Sequence, residues 1–212
     1  MIEYDTTKPV TYRLPLFDQV KASLVAEAPR AGYLVTPAQA AVVKPLLDAH
    51  GITYRRVEAA LPALAVEAFR AATVSFAKEP FEGRFETKVT GAWAPETRDV
   101  APGALFVPIA QPKARLVMTL FEPTCSDSLV AWDFFPTCFE KKEYMEPYVA
   151  EQVALEMMKA DPKLQDEFVA KLQSDAAFAA DPAARLEFFY RRHPSFDERL
   201  NLVPIYRVAT AP

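Results

Sequence analysis

The sequence predicts an α+β fold, a mixed β-sheet with helices packed on it and a helical C-terminal third. Three observations predict it. Short apolar runs bounded by glycine and proline, GYLV at 32–35 and ALFV at 104–107, read as buried strands. Residues 65–77 and 84–92 alternate apolar with polar side chains and read as an antiparallel pair. From Tyr148 onward, three segments carry helical apolar spacing, two of them opened by Asp-Pro. The runner-up architecture is a small three-layer α/β domain followed by a helical extension.

In chain order, Val10, Tyr12 and Leu14 alternate with Thr11 and Arg13, the period of a half-buried strand, and Pro15 ends it. Glu3, Tyr4 and Asp5 lead straight into this stretch, as if the chain began inside a β-region, so a truncated or processed polypeptide is expected. After Pro29 and Arg30, residues 32–35 form a strand and Thr36 caps a helix with Pro37 at its first position. That helix runs through Ala40, Val43, Leu46 and Leu47 to Ala49, where His50 and Gly51 stop it. Residues 52–57 follow as a strand, and a right-handed crossover between parallel strands is the expected β-α-β geometry.

Residues 80–83 connect the antiparallel pair, and 93–99 read as a polar loop. The turn at Pro102-Gly103 opens the segment expected to organise the core. It comprises a strand at 104–107, a turn marked by Pro108 and Pro112, and a helix over 113–121 for which Pro112 is placed as the first residue. Leu116, Met118, Leu120 and Phe121 form the apolar face of that helix, and Pro123 closes it. Beyond it the chain is irregular and aromatic, with Trp132, Phe134, Phe135, Phe139 and Tyr144. Helices are predicted at 148–158, 162–172 and 182–192, and residues 202–208 return as a strand. The β-rich region 1–123 and the aromatic and helical region 124–212 are expected to pack as one unit.

Composition narrows the function classes. Of 212 residues, 51% are hydrophobic and 25% charged, the balance of a folded globular chain. The 28 acidic and 24 basic residues are well mixed, for a formal charge of −4, so no basic field exists to collect nucleic acid. No apolar run approaches the roughly 18–20 residues of a membrane span. The start, MIEYDTT, has neither the basic nor the apolar region of a signal peptide, which leaves the compartment open.

Candidate chemistry is sparse. Cys125 and Cys138 bracket SDSLVAWDFFPT. A bridge closing that loop would contribute about 3 kcal/mol, and it is expected if the chain is exported; in a cytosol the two would stay separate thiols. Both histidines, His50 and His193, stand at helix ends, without the partner one turn on that builds a helical zinc site. Glu140, Glu143 and Glu146 lie among Lys141, Lys142 and Tyr144 and read as a solvated face. Glu122 and Asp127 with Arg98 form a conceivable acid–base set that no spacing selects. Trp93, Arg98, Gln111, Trp132 and Tyr144 are the candidates for contact with a ligand or a neighbouring domain.

Four strings occur in order: GYLVTPAQAAVVKPLLDAHGITYRRV, RDVAPGALFVPIAQPKARLVMTLFEP, DSLVAWDFFPTCFEKKEYMEPYVAE and FFYRRHPSFDERLNLVPIYRV. They resemble the C-terminal region of bacterial M14-type zinc carboxypeptidases, the carboxypeptidase A-like metallopeptidases. The resemblance runs from about Tyr4 to Val208, and GALFVPIAQPKARLVMTLFEP and DSLVAWDFF are its most specific parts. That family holds zinc with a His-x-x-Glu pair and a later His, and a separate Glu activates the metal-bound water. Here the third residue after His50 is Thr53 and after His193 is Phe196, so no catalytic or metal-ligating residue carries over.

The resemblance therefore implies a non-catalytic accessory portion, with no cofactor of its own and zinc in the catalytic domain of the parent protein. It implies that peptidase domain as partner, with a peptide or cell-wall substrate nearby. It also implies a periplasmic or secreted location, which favours a Cys125–Cys138 bridge. The alternative is a free-standing carbohydrate- or peptide-binding module built on the Trp93 and Trp132–Tyr148 aromatics.

Overall fold

The chain runs β1 (Gly32–Val35), α1 (Pro37–Ala49), β2 (Arg55–Arg56), β3 (Leu61–Phe76), β4 (Thr87–Val100), β5 (Leu105–Pro108) and α2 (Ala114–Phe121). A 3₁₀ turn (Pro136–Cys138) follows, then α3 (Pro147–Ala160), α4 (Pro162–Ser174), α5 (Ala176–Ala180), α6 (Pro182–Tyr190) and β6 (Leu202–Val208). This is a computed structural model, and it describes residues 5–212 with the exception of Ser23. Glu3 and Tyr4, part of the expected N-terminal β-region, lie outside the described residues.

The six strands form one sheet in the order β2-β5-β1-β6-β3-β4. The α+β class holds, but every neighbouring pair is antiparallel, so the sheet is not mixed. β1 and β2 share a direction only because each lies antiparallel to β5, which sits between them. The crossover through α1 therefore skips a strand. β6 enters between β1 and β3, so the last residues of the chain complete a sheet begun by the first.

β1 is apolar at every position because both its faces are covered, and all four of its residues are buried. One face carries Tyr33, Phe69, Val107 and Ile205 under α1 and α2. The helices present Val43 with Leu47 and Val117 with Phe121, each pair one turn apart. In α2 the buried pair is thus Val117 and Phe121, and Leu116, Met118 and Leu120 pack only partly. Leu129, Val130 and Phe135 join the same core from beyond Pro123. Each such side chain contributes about 1.5–3 kcal/mol of burial.

The other face encloses a second core, in which Phe106, Leu34, Tyr206, Ala68 and Val100 come from five different strands. Side chains from β5 and β4, well apart in the strand order, belong to this one core. The segment between β2 and β3 borders it, with the Val57 N–H donating to Ala104 O at 2.8 Å and Leu61 pairing with Val100. α3, α4, α5 and α6 keep a third core of their own around Phe178, Phe188 and Phe189. Asp161 and Asp181 cap α4 and α6, each accepting two backbone N–H groups.

Several expectations change. Residues 10–14 form no strand: Val10, Tyr12 and Leu14 are 69%, 76% and 78% exposed. Residues 93–99 belong to β4, not to a loop. Their polar sequence fits an edge strand, the place in a sheet that tolerates a proline such as Pro95. The strand predicted at 52–57 shrinks to Arg55–Arg56. Pro112 lies in the turn before α2, and α5 has no counterpart among the predicted helices.

Candidate functional site

α2 ends at Phe121, and the next residue, Glu122, enters the space between helix and sheet, where it is 4% exposed. Three strands supply its partners from one face. Tyr33 of β1 lies in register opposite Arg207 of β6, and Trp93 of β4 lies opposite Phe69 of β3. The Tyr33 hydroxyl donates to Glu122 Oε1, and Trp93 Nε1 donates to Oε2 at 3.0 Å. Arg207 closes a two-pronged pair through Nε on Oε1 at 3.0 Å and Nη2 on Oε2 at 2.7 Å. Its guanidinium also lies 4.4 Å from the centre of the Trp93 ring, a cation–π contact. Burial, then the hydrogen bond to Glu122, pushes the Tyr33 hydroxyl well above the usual tyrosine range.

Four donors thus converge on one carboxylate, so the cluster works as a clamp between α2 and the sheet. The acid–base set considered from sequence is not assembled. Asp127 accepts from Trp132 Nε1 at 3.4 Å, and Arg98, by strand alternation, faces the opposite side of the sheet from Trp93.

On that opposite side Arg70, Glu96 and Arg98 form a second charged cluster. Arg70 Nε donates to Glu96 Oε1 at 2.8 Å, and Arg98 Nη2 donates to Glu96 Oε2. Burial pushes the Glu96 carboxyl up, but the bonds from Arg70 and Arg98 outweigh it and hold the carboxyl below its ordinary value. Arg98 Nε is buried without a partner among the described residues.

Beside this cluster opens a cleft of about 510 Å³, in the size range of small-molecule sites. Its floor is apolar, made by Val100, Leu202, Pro204 and Tyr206. One wall is the first turn of α1, with Thr36 and Gln39; the other carries Cys138, Glu140, Lys142 and Arg199. An adjoining hollow shares Lys142, Asp197 and Arg199 and brings in Arg98.

The structure does not bring the candidate contact residues together. Trp93 is in the Glu122 clamp, and Arg98 is beside the cleft. Gln111 ties the end of β5 to the segment after α1, accepting the Thr53 N–H at 2.9 Å and donating to Thr53 O at 3.1 Å. Trp132 lines a separate hollow of about 300 Å³ with Phe81, and Tyr144 is 72% exposed. Sequence reasoning missed Tyr33 and Arg207, whose only signal is an ionisable residue inside an apolar strand. It also left the α1 N-terminus unlinked to Lys142.

Cys125 and Cys138 are separate free thiols, so the bridge that export would favour is not formed. Burial pushes the Cys138 thiol up to about 11, the reverse of what a nucleophile needs. His50 ends α1, and His193 Nδ1 accepts the Ser195 N–H at 3.2 Å. Among the described residues, no group of three or more His, Cys, Asp or Glu side chains is placed to hold a metal ion. No described helix is long and apolar enough to cross a membrane. Comparison with protein-family models, with curated proteins and with solved structures finds no match, so those comparisons give no link to the metallocarboxypeptidases.

Proposed function

We propose that this chain is a non-catalytic accessory module of a zinc carboxypeptidase of the type it resembles. In this reading it packs against the peptidase domain of the same parent protein and borders access to that domain's cleft. The observation that carries the proposal is residues 10–25. Val10, Tyr12, Leu14, Leu16, Phe17, Val20, Leu24 and Val25 are 44% to 102% exposed, and the described residues of this segment, 10–22 and 24–25, form no helix or strand. Exposed apolar side chains in this number along one stretch offer area to a partner, and covering each is worth about 1.5–3 kcal/mol. The peptidase domain is the partner, zinc belongs to that domain, and the parent protein works outside the cytoplasm on a peptide or cell-wall substrate.

The aromatics support this reading over a carbohydrate- or peptide-binding module. Phe135 is buried, and Phe134 and Phe139 pack against the same core instead of lining a shared groove. The test is zinc quantitation and a peptidase assay, on peptide and murein-type substrates, of the 212-residue chain beside the full-length parent. Turnover that depends on metal in the parent alone supports the proposal. Metal-dependent turnover by the isolated chain overturns it.

A further inference from the structure

β6 brings Tyr206 to the face of the sheet that carries the second core, in register opposite Leu34 of β1. Tyr206 is 7% exposed, yet its hydroxyl makes no hydrogen bond among the described residues, whereas the buried Tyr33 hydroxyl donates to Glu122. An enclosed hydroxyl left unpaired is unfavourable, and most such groups find a partner. Among the described residues, the polar side-chain atom sealed from solvent without a partner is Arg98 Nε, so the Tyr206 hydroxyl keeps an opening. That opening is the cleft beside α1, which Tyr206 lines. The Cys138 thiol, on the cleft's other wall, is among the groups that act on the hydroxyl, and burial keeps both protonated at neutral pH.

Neither sign of charge suits an occupant of this position. Arg98 and Arg70 act on the hydroxyl together against Glu96 alone, which disfavours a cation at the floor. The lining of the cleft sets Asp99, Glu140 and Asp197 against Lys142 and Arg199, and the adjoining hollow adds Glu143 and Glu198, which disfavours an anion. The remaining lining is uncharged. Val100, Leu202 and Pro204 are apolar, and the side chains of Thr36, Gln39 and Thr137 are neutral. The free group at the floor is an O–H donor, and a carbonyl oxygen takes it without bringing a further donor in need of a partner among apolar neighbours.

We infer that this cleft binds an uncharged small molecule with one carbonyl oxygen and one short aliphatic group. The Tyr206 hydroxyl donates to the carbonyl, and the aliphatic group rests on Val100, Leu202 and Pro204. The inference goes beyond the accessory reading and stands without it. A peptide carbonyl beside an aliphatic side chain and a free ketone or ester both present this chemistry.

Titration of the full 212-residue chain, followed by amide chemical shifts, tests it with four probes. Methyl isoamyl ketone and N-acetyl-leucinamide are uncharged carbonyl compounds, isocaproate is an anion and isoamylammonium a cation. Both uncharged probes are expected to saturate shifts at β6 and the start of α1 at millimolar concentration, and both charged ones to bind at least about tenfold more weakly. Tighter binding of N-acetyl-leucinamide than of the ketone identifies a peptide as the source; equal or weaker binding identifies a free carbonyl compound. Tyr206→Phe removes only the oxygen. It should weaken both uncharged probes by about fivefold, the scale of one neutral hydrogen bond. Because the hydroxyl has no partner to lose, the same variant should hold the thermal midpoint of the free chain to within about 2 °C or raise it. Four results overturn the inference: no saturable binding of the uncharged probes, a charged probe binding as tightly as they do, unchanged binding in Tyr206→Phe, or a midpoint lowered in that variant by more than about 2 °C.

Discussion

Replacing Glu122 by Gln keeps the size of the side chain and removes its charge. The carboxylate accepts from Tyr33, from Trp93 and twice from Arg207, and only 5% of its side chain is exposed. An amide has one acceptor oxygen and turns an NH2 group toward donors, so two of the four contacts become donor against donor. Among the described residues Arg207, 11% exposed, would keep only Glu67 at 3.9 Å as a counter-ion, and that side chain is half exposed. Breaking a buried pair on one side costs about 3–5 kcal/mol. At about 2–4 °C per kcal/mol for a chain of this size, the thermal midpoint should fall by about 6–20 °C. Urea unfolding followed by tryptophan fluorescence reads the change, since Trp93 belongs to the cluster. The double variant Glu122→Met with Arg207→Met should cost less than the sum of its singles. A Glu122→Gln cost under about 1 kcal/mol would refute the clamp as a main tie between α2 and the sheet.

Other outcomes follow from the same geometry. Burial raises the Tyr33 and Tyr206 hydroxyls and pushes the Cys138 thiol up to about 11, so the unfolded chain loses these protons first. Stability should therefore be intact at pH 8 and fall as pH rises from about 9 through 11; an unchanged urea midpoint over that window contradicts it. In the folded chain at pH 8, about one Cys138 in a thousand is thiolate, so iodoacetamide should label it far more slowly than in urea, as read by peptide mass. Gly91→Ala puts a methyl group 2.2 Å from Arg70 O, at the close pairing of β3 with β4, and should cost about 1–3 kcal/mol in urea unfolding. Ala63 holds φ at +49°, a conformation that favours glycine, so Ala63→Gly should raise stability by about 0.5 kcal/mol.

Local grammar in the sequence was enough for many elements. β1, α1 and β6 stand at the residues where glycine, proline and apolar runs put them, and the Asp-Pro starts of α4 and α6 are capped as expected. Strand order was not legible, because periodicity says which residues face a core but carries no partner. β5 lying between β1 and β2 turned an expected parallel neighbour pair into an antiparallel trio. Alternation at Val10, Tyr12 and Leu14 has the right period for a strand, yet no sheet edge among the described residues takes it up. In β4 the polar run Glu96 to Asp99 hid a strand whose charges are spent on Arg70 and the Ala63 N–H. The Glu122 clamp was half visible: Glu122 and Trp93 were candidates, but Tyr33 and Arg207 sit in strands that read as apolar, far away in the chain. The cleft was illegible, since its walls come from the start of α1 and from irregular segments more than ninety residues later.

The accessory reading stands or falls on what covers residues 10–25, and hydrogen exchange of that segment asks the question directly. In the isolated chain its backbone amides should exchange at nearly the rate of an unfolded peptide. In the full-length parent, with its peptidase domain present, they should be protected by at least about tenfold. Equal, fast exchange in both, or a reading frame that encodes no peptidase domain, would contradict the account.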